Sequence, residues 1–371
     1  MKNTRSARFF ITGLISVVVG GGIFATATMV DIKKDPALGI QRESFYGTHQ
    51  NGVEIARQSN ATFIAFDVKK DVDSNAVARW MRVWSEDISL LVNGQPIIGD
   101  PQGEMAENPA RLTALVGFGY SLFEKTGLIA SWPIKEKAIP PYSIDKLQQR
   151  WSGGDLVLQL TGDNPQSIFH AALVLERDAR PFADVKWQQR GFLDPAGINT
   201  QSVSRNLMGQ LDGTANKPID TKLFSDIAWA KTGALKNGTT MVVRRIQINF
   251  QTWDRLSSLR KGEALGRTLD SGSKIESKSA TSHVTRGFTS GANGIIRRGF
   301  NYDDNYTQDG ERDAGLIFVS FQANLENYLA IQAKLNAMDD LNKWTTPVGS
   351  ALFIVPAGIE KGDYLGSAFF Q

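Results

Sequence analysis

The sequence contains no cysteine in its 371 residues. That absence excludes thiolate ligation of iron, Cys-ligated iron–sulfur clusters, Cys-based zinc sites and covalent haem attachment through C-x-x-C-H. Any metal must therefore be held by histidine, carboxylate or a cofactor. A chain free of thiols also fits an oxidising compartment. Histidine is scarce, with three residues, His49, His170 and His283, so each can be weighed as a neutral nitrogen ligand. Neither sign of charge is in excess: 41 basic and 38 acidic residues leave a formal net charge of +3. No basic block is available to neutralise a run of phosphates, which argues against nucleic acid as a partner.

What is present is ordinary globular composition, 42% hydrophobic and 21% charged, with enough length for two modest cores. Lys2, Arg5 and Arg8 precede an uncharged stretch from Phe9 to Val30, and Ala25-Thr26-Ala27 has the small-x-small form that signal peptidase accepts. Residues 1–30 read as a signal peptide with cleavage after Ala27 or as an uncleaved N-terminal anchor, since the stretch is long enough to span a bilayer. Either way the chain is expected to be exported, with membrane contact only through that segment. Arg5 and Arg8 are separated by Ser6 and Ala7, so no twin-arginine pair specifies the route.

Ala61 to Val68 is rich in strand formers, and Val77, Trp80, Met81, Trp84 and Ile88 recur at helical spacing after Asp73-Ser74, a plausible N-cap. Strands at Leu112 to Val116, at Leu156 to Leu160 and around Val185, with a helix from Pro165 to Leu175, complete a β-α-β-β-α-β order. That is the ferredoxin-like unit, an antiparallel sheet with two helices on one face. In the second half, Ile227 to Thr232 and Thr240 to Ile248 flank Asn237-Gly238, a type I′ hairpin signal. A helix near Thr252 to Arg260, a strand at Leu316 to Gln322, a helix at Leu325 to Ala337 and a strand at Ala351 to Val355 follow. The expected fold is α+β, two ferredoxin-like halves over residues 31–195 and 196–371.

His170, on a helix between Phe169 and Ala171, reads as a core histidine with a satisfied ring. His49 sits in the turn-rich segment Phe45 to Gly52. His283 lies in Gly262 to Gly294, a segment crowded with Ser, Lys, Gly and Thr, and taken alone reads as a solvated loop histidine. Gly287-Phe288-Thr289-Ser290-Gly291 has the wrong spacing for a hydrolase elbow. The acidic run from Asp303 to Glu311 lacks a glycine where a calcium loop needs it and reads as a solvated loop.

The company His283 keeps changes its reading. Gly209-Gln210-Leu211-Asp212-Gly213-Thr214-Ala215-Asn216 resembles the G-x-x-D-G-T-x-N signature of the dye-decolourising peroxidases, and Ile295 to Tyr302, with Arg297, resembles the distal-arginine segment of that family. The likeness extends over Phe45 to Gly52, Gly117 to Phe123, Gly315 to Asn324 and Gly349 to Pro356. It implies one haem b per chain in the C-terminal half, with His283 as proximal ligand to the iron and Asp212 and Arg297 on the opposite, peroxide-binding face. By the same resemblance Gly213, Thr214, Leu316 and Phe318 border the haem, although Leu316 and Phe318 could equally be strand core. A carboxylate on the second ring nitrogen would make His283 more basic, and Asp339 or Asp340 is the candidate, the alternative being two solvated acids at a helix end.

The implied partners are hydrogen peroxide and an organic electron donor. Asp212 is the expected proton carrier, its carboxyl raised somewhat by burial, and Arg297 is expected to stabilise charge as the O–O bond breaks, independently of the acid limb that Asp212 sets. Two other uses of haem stay open. The exported branch of the family includes deferrochelatases, which extract iron and would serve an iron-uptake system. A haem-storage or transfer module would have no need of the Asp212 and Arg297 pair.

Overall fold

The computed structural model describes residues 38–194, 205–213, 215–275 and 279–370. The N-terminal segment read as signal or anchor, and Thr214, lie outside the described residues. Among the described residues no helix is long and apolar enough to cross a membrane.

The first half runs β1 (Asn60–Val68), α1 (Ser74–Val92), β2 (Thr113–Phe118), α2 (Tyr120–Lys125), β3 (Leu156–Gly162), α3 (Pro165–Ala179) and β4 (Ala183–Phe192). Helix α1 starts where the Asp73 side chain accepts from Ala76 N at 2.7 Å, and α3 where Asn164 accepts from Gln166 N at 2.9 Å with Pro165 in the first turn. The second half runs α4 (Lys222–Ala228), β5 (Thr239–Ile248), α5 (Phe250–Trp253), α6 (Ser258–Leu265), α7 (His283–Arg286), β6 (Ile296–Arg297), β7 (Phe300–Tyr306), β8 (Arg312–Gln322), α8 (Leu325–Ala337) and β9 (Thr345–Val355).

In the first half the antiparallel strand order is β2-β3-β1-β4, and in the second β9-β5-β8 with β7 and β6 following one another along the outer edge of β8. Both are the ferredoxin-like order. The halves join through β2–β9 at Phe118↔Ile354 and β4–β7 at Phe192↔Asn301, and the β5–β8 pairing closes the sheet into a barrel. Alternation along β1 serves two cores. Ile64 and Phe66 pack with Trp80 and Trp84 of α1, while Phe63 and Ala65 point into the barrel beside Phe300, Phe321 and Phe353. Each large apolar side chain so buried stabilises the fold by roughly 1.5–3 kcal/mol.

Several local expectations are corrected. Ile227 to Thr232 is not a strand: α4 ends at Ala228, and the Thr221 hydroxyl caps it by accepting from Phe224 N at 3.2 Å. The type I′ hairpin expected at Asn237-Gly238 does not form either: Asn237 has φ +62° but Gly238 is not at positive φ, and the turn closes one residue earlier, with Gly238 N donating to Leu235 O at 2.8 Å. Thr252 to Arg260 divides into α5 and α6, each with its own capping side chain, Asn249 and Ser257. The acidic run begins inside the β7–β8 hairpin, where Asp304 and Asp313 pair at 2.9 and 3.0 Å with Arg245, a buried guanidinium held between the rings of Trp151 and Tyr302.

Helices α1 and α3 meet with two carboxyl groups, Asp87 and Asp178. Burial and the neighbouring Asp178 push Asp87 up to about 7, and Asp178 is raised as well. A carboxyl raised in the folded state favours folding most where it is protonated, so stability is lost as pH rises from ~3.9 toward that value. Asp178→Asn is expected to flatten this slope and to raise Tm at pH 8 by about 2–4 °C. Thermal melts of both proteins from pH 4 to 8 check it, and parallel Tm curves would refute it.

Candidate active site

The register of β8 sets the floor of the site. Leu316 is opposite Ile246, Phe318 opposite Arg244, and Ser320 opposite both Val242 and Arg297. Directly paired residues share a face, so Leu316, Phe318 and Arg297 point the same way. The intervening Ile317, Val319 and Phe321 fill the barrel. Leu316 and Phe318 are half-buried between fully buried neighbours, so this face of the strand is incompletely covered by the rest of the chain.

Over this floor sits the loop that carries Asp212. The Asn206 side chain accepts from Met208 N at 3.0 Å and Gln210 N at 3.1 Å, the Trp253 indole donates to Met208 O at 3.2 Å, and Asn301 Oδ1 accepts from Leu207 N at 3.3 Å. Gly209 and Gly213 take φ of +81° and +95°, which a side chain would strain. Asn216, the last residue of the motif, receives Arg297 N at 2.9 Å and donates to Arg297 O at 2.6 Å. Its amide thereby takes up both backbone hydrogen-bonding groups of Arg297, on the edge of β6 away from β8, and fixes Arg297 relative to Asp212.

Asp212 Oδ1 and Arg297 Nη2 are 3.5 Å apart, with 22% and 27% of their side chains exposed. The pair is in electrostatic contact yet too long for a strong hydrogen bond, which leaves both groups free to engage a small ligand. Burial alone would push the Asp212 carboxyl up. Arg297 and Arg57 beside it, the Gly213 N–H and the more distant His283 outweigh burial and hold it below the usual carboxylate range. This reverses the direction expected from burial.

His283 opens the short helix α7, and its Nδ1 lies 2.6 Å from Asp339 Oδ2. Asp339 is buried, and its other oxygen accepts from Leu341 N at 3.0 Å, capping the 3₁₀ turn Asp340–Lys343. A carboxylate held at both oxygens gives the imidazole one tautomer, with the proton on Nδ1 and the Nε2 lone pair available as a ligand. Asp340 does not reach the ring. Its carboxylate accepts from Thr281 Oγ1 at 2.7 Å and Lys343 Nζ at 2.7 Å, which braces the segment before α7.

The other histidines are committed elsewhere. His170 is buried with Nε2 2.8 Å from Asp100, and His49 pairs with Glu54 at 2.9 Å while stacking on Trp229.

Residues 50–193 match the Dyp-type peroxidase N-terminal family, and residues 203–360 match its C-terminal counterpart. The chain belongs to the Dyp-type peroxidase family. Its members are haem-binding oxidoreductases that use hydrogen peroxide. A relative of known sequence, the dye-decolorizing peroxidase of Thermobifida fusca, is 30% identical over 99% of this chain and 97% of its own length. A deferrochelatase of Escherichia coli O6:K15:H31 is 26% identical over 89% of this chain and 88% of its own. Among solved structures, the DyP-type peroxidase of Cellulomonas bogoriensis superposes with a TM-score of 0.86 at 35% identity, covering 91% of this chain and all of that one, 100%.

Two members of the site were not found from sequence. Arg57 reaches Gly213 and Gly299 from the first half, with no sequence pattern linking it to Asp212. Asn216 stood in the quoted motif, but its bonds to Arg297 span 81 residues and become visible only once β6 and the loop are folded together.

Proposed function

We propose that the chain works with one haem b as an exported peroxidase that uses hydrogen peroxide to oxidise a bulky organic donor, with His283 holding the iron, Asp212 carrying a proton and Arg297 stabilising developing negative charge. The residues fit the group. A neutral imidazole with a free Nε2 and a buried carboxylate behind it is a strong donor to iron, and half-buried Leu316 and Phe318 offer an apolar floor to a flat macrocycle. Gly213, at φ +95°, has its Cβ position turned to Arg57 Nη1 at 3.2 Å, so its missing side chain leaves room for that guanidinium beside the site. When bound, haem would supply a coordination position for peroxide and hold the oxidising equivalents that hydrogen peroxide provides.

The protein's own part is proton transfer and electrostatics. An ionised Asp212 takes the proton from one oxygen of hydrogen peroxide and returns it to the other, so that the leaving oxygen departs as water. Arg297 presents a fixed cationic donor fork to the peroxide anion. The observation that carries this reading is the 3.5 Å approach of Asp212 and Arg297, both partly exposed. A storage module would not need such a pair.

The decisive experiment is turnover of an electron donor with hydrogen peroxide by the haem-loaded protein, run beside assays for free iron and free porphyrin. Donor oxidation without iron release supports the peroxidase, whereas free iron with intact porphyrin and no donor oxidation would instead support a deferrochelatase serving iron uptake. Export rests on the basic start and apolar stretch of residues 1–30, and N-terminal sequencing of protein from its host tests it. An intact Met1 in soluble cytosolic protein would count against it.

Asp339→Asn is expected to weaken haem binding about 10–100-fold. Its amide can still accept from Leu341 N, but the NH₂ then faces Nδ1 and favours the tautomer with the proton on Nε2, which cannot ligate. Haem titration of the purified variant measures this, and wild-type affinity would show that Asp339 does not set the tautomer.

A further inference from the structure

Asp212 has a second cationic neighbour, and it comes from the other half of the molecule. Arg57 lies in the segment just before β1. Its Nη2 donates to Gly299 O, two residues past Arg297, and its Nη1 lies where a side chain on Gly213 would meet it, 3.2 Å from an ideal Cβ position. Arg57 thus occupies the space between the Asp212 loop and the Arg297 strand.

The segment bearing Arg57 is itself clamped. Arg298 Nη1 donates to Ile55 O at 2.8 Å, and Arg111 Nη2 donates to Ala56 O at 2.9 Å. Arg111 is balanced by Glu43 at 2.9 Å and Asp163 at 3.1 Å. No carboxylate ion pair to Arg57 within 4 Å is found among the described residues, and Asp212 is the acid whose charge it feels most. A part-buried guanidinium tied to Gly299 O and set against the Gly213 backbone is a costly arrangement unless it acts on the charge carried next to that backbone, the Asp212 carboxylate.

We propose that Arg57 is a positioning residue for Asp212: bridging Gly299 and the Gly213 backbone, it holds the Asp212 loop against β6 and, with Arg297, sets the charge that surrounds the carboxylate. The inference rests on the reading of Asp212 as proton carrier. The charged groups facing Asp212 are Arg297, Arg57 and, at longer range, His283, and Gly213 N–H bonds its carboxylate. The two arginines divide the work. Arg297 is partly exposed toward the ligand, whereas Arg57 is spent on Gly299 and the loop, so it alters the acid without touching peroxide.

A guanidinium near a carboxylate typically lowers its titration by 1–3 pH units. Arg57→Gln is therefore expected to move the acid limb of the peroxide reaction up by about one unit, with a plateau rate that falls far less than in Arg297→Leu. Arg57→Lys keeps the charge but not the fork and is expected to fall between. A second readout is independent of turnover: cyanide association with the ferric holoprotein, which requires proton removal from hydrogen cyanide, should show the same displaced limb. Haem absorbance and circular dichroism verify that each variant is folded and loaded.

If Arg57→Gln keeps the wild-type limb in both measurements while Asp212→Asn abolishes it, Arg57 is only a tether between loops and the proposal is overturned, with the role of Asp212 intact. If Asp212→Asn itself keeps the limb, the proton carrier is another group and both readings fall together.

Discussion

Replacing Arg297 with leucine is expected to slow the reaction with hydrogen peroxide by on the order of 10²–10³ at the pH optimum. The size follows from removing a preorganised cationic donor from a partly desolvated site, where no water can at once reproduce its charge. A second effect follows from the 3.5 Å approach of Arg297 to Asp212. Arg297 helps hold that carboxyl low, so its loss should also carry the acid limb to higher pH. The sign is fixed by linkage: a depressed carboxyl is ionised above its folded value, and weakening the depression shrinks the range over which it can act as a base. From sequence the two residues looked separable, one titrating and one constant. Their proximity couples them. Stopped-flow rates from pH 3 to 8 for wild type and Arg297→Leu read both effects. A rate within threefold of wild type at the optimum would remove Arg297 from the reaction.

His283→Ala is expected to abolish tight haem binding, a larger loss than the roughly 10–100-fold expected when only the hydrogen-bond partner of a ligand is removed. No thiol exists to take over, and His170 and His49 are held by Asp100 and by Glu54 with Trp229. Haem titration followed at the Soret band measures the loss, with His170→Ala as the control expected to bind normally. Retention of a wild-type spectrum by His283→Ala, with loss in His170→Ala, would move the ligand to the first half of the molecule.

The ferredoxin-like halves were legible because their signals are local. Trp80, Trp84 and Ile88 repeat at helical spacing, and Asp73 and Asn164 cap where short polar side chains should. Ile227 to Thr232 misled because Ile227, Ala228 and Trp229 form an apolar run that fits helix or strand, and the cap at Thr221 that decides it lay outside the window. The motif brought out Asp212 and Arg297, but which of two adjacent acids meets His283 was beyond it. Asp339 and Asp340 differ by one step of backbone, and only the 3₁₀ turn that Asp339 caps directs its second oxygen to the ring. Arg57 was invisible for a different reason. It is 155 positions from Asp212 along the chain (212 minus 57), and what joins them is barrel closure.

That closure gives the molecule a fracture line. At each seam the ladder between the halves is one residue pair, Phe118↔Ile354 on one side and Phe192↔Asn301 on the other. Asn301 also holds Leu207 N with its side chain, and Arg57 crosses to Gly299 close by. A breathing motion that parts β4 from β7 therefore loosens the Asp212 loop at the same moment. If Asp212 is the proposed proton carrier, activity depends on one of the two thinly stitched seams of the barrel, and heat or denaturant should silence the enzyme while both halves still keep their helices and most of their strands.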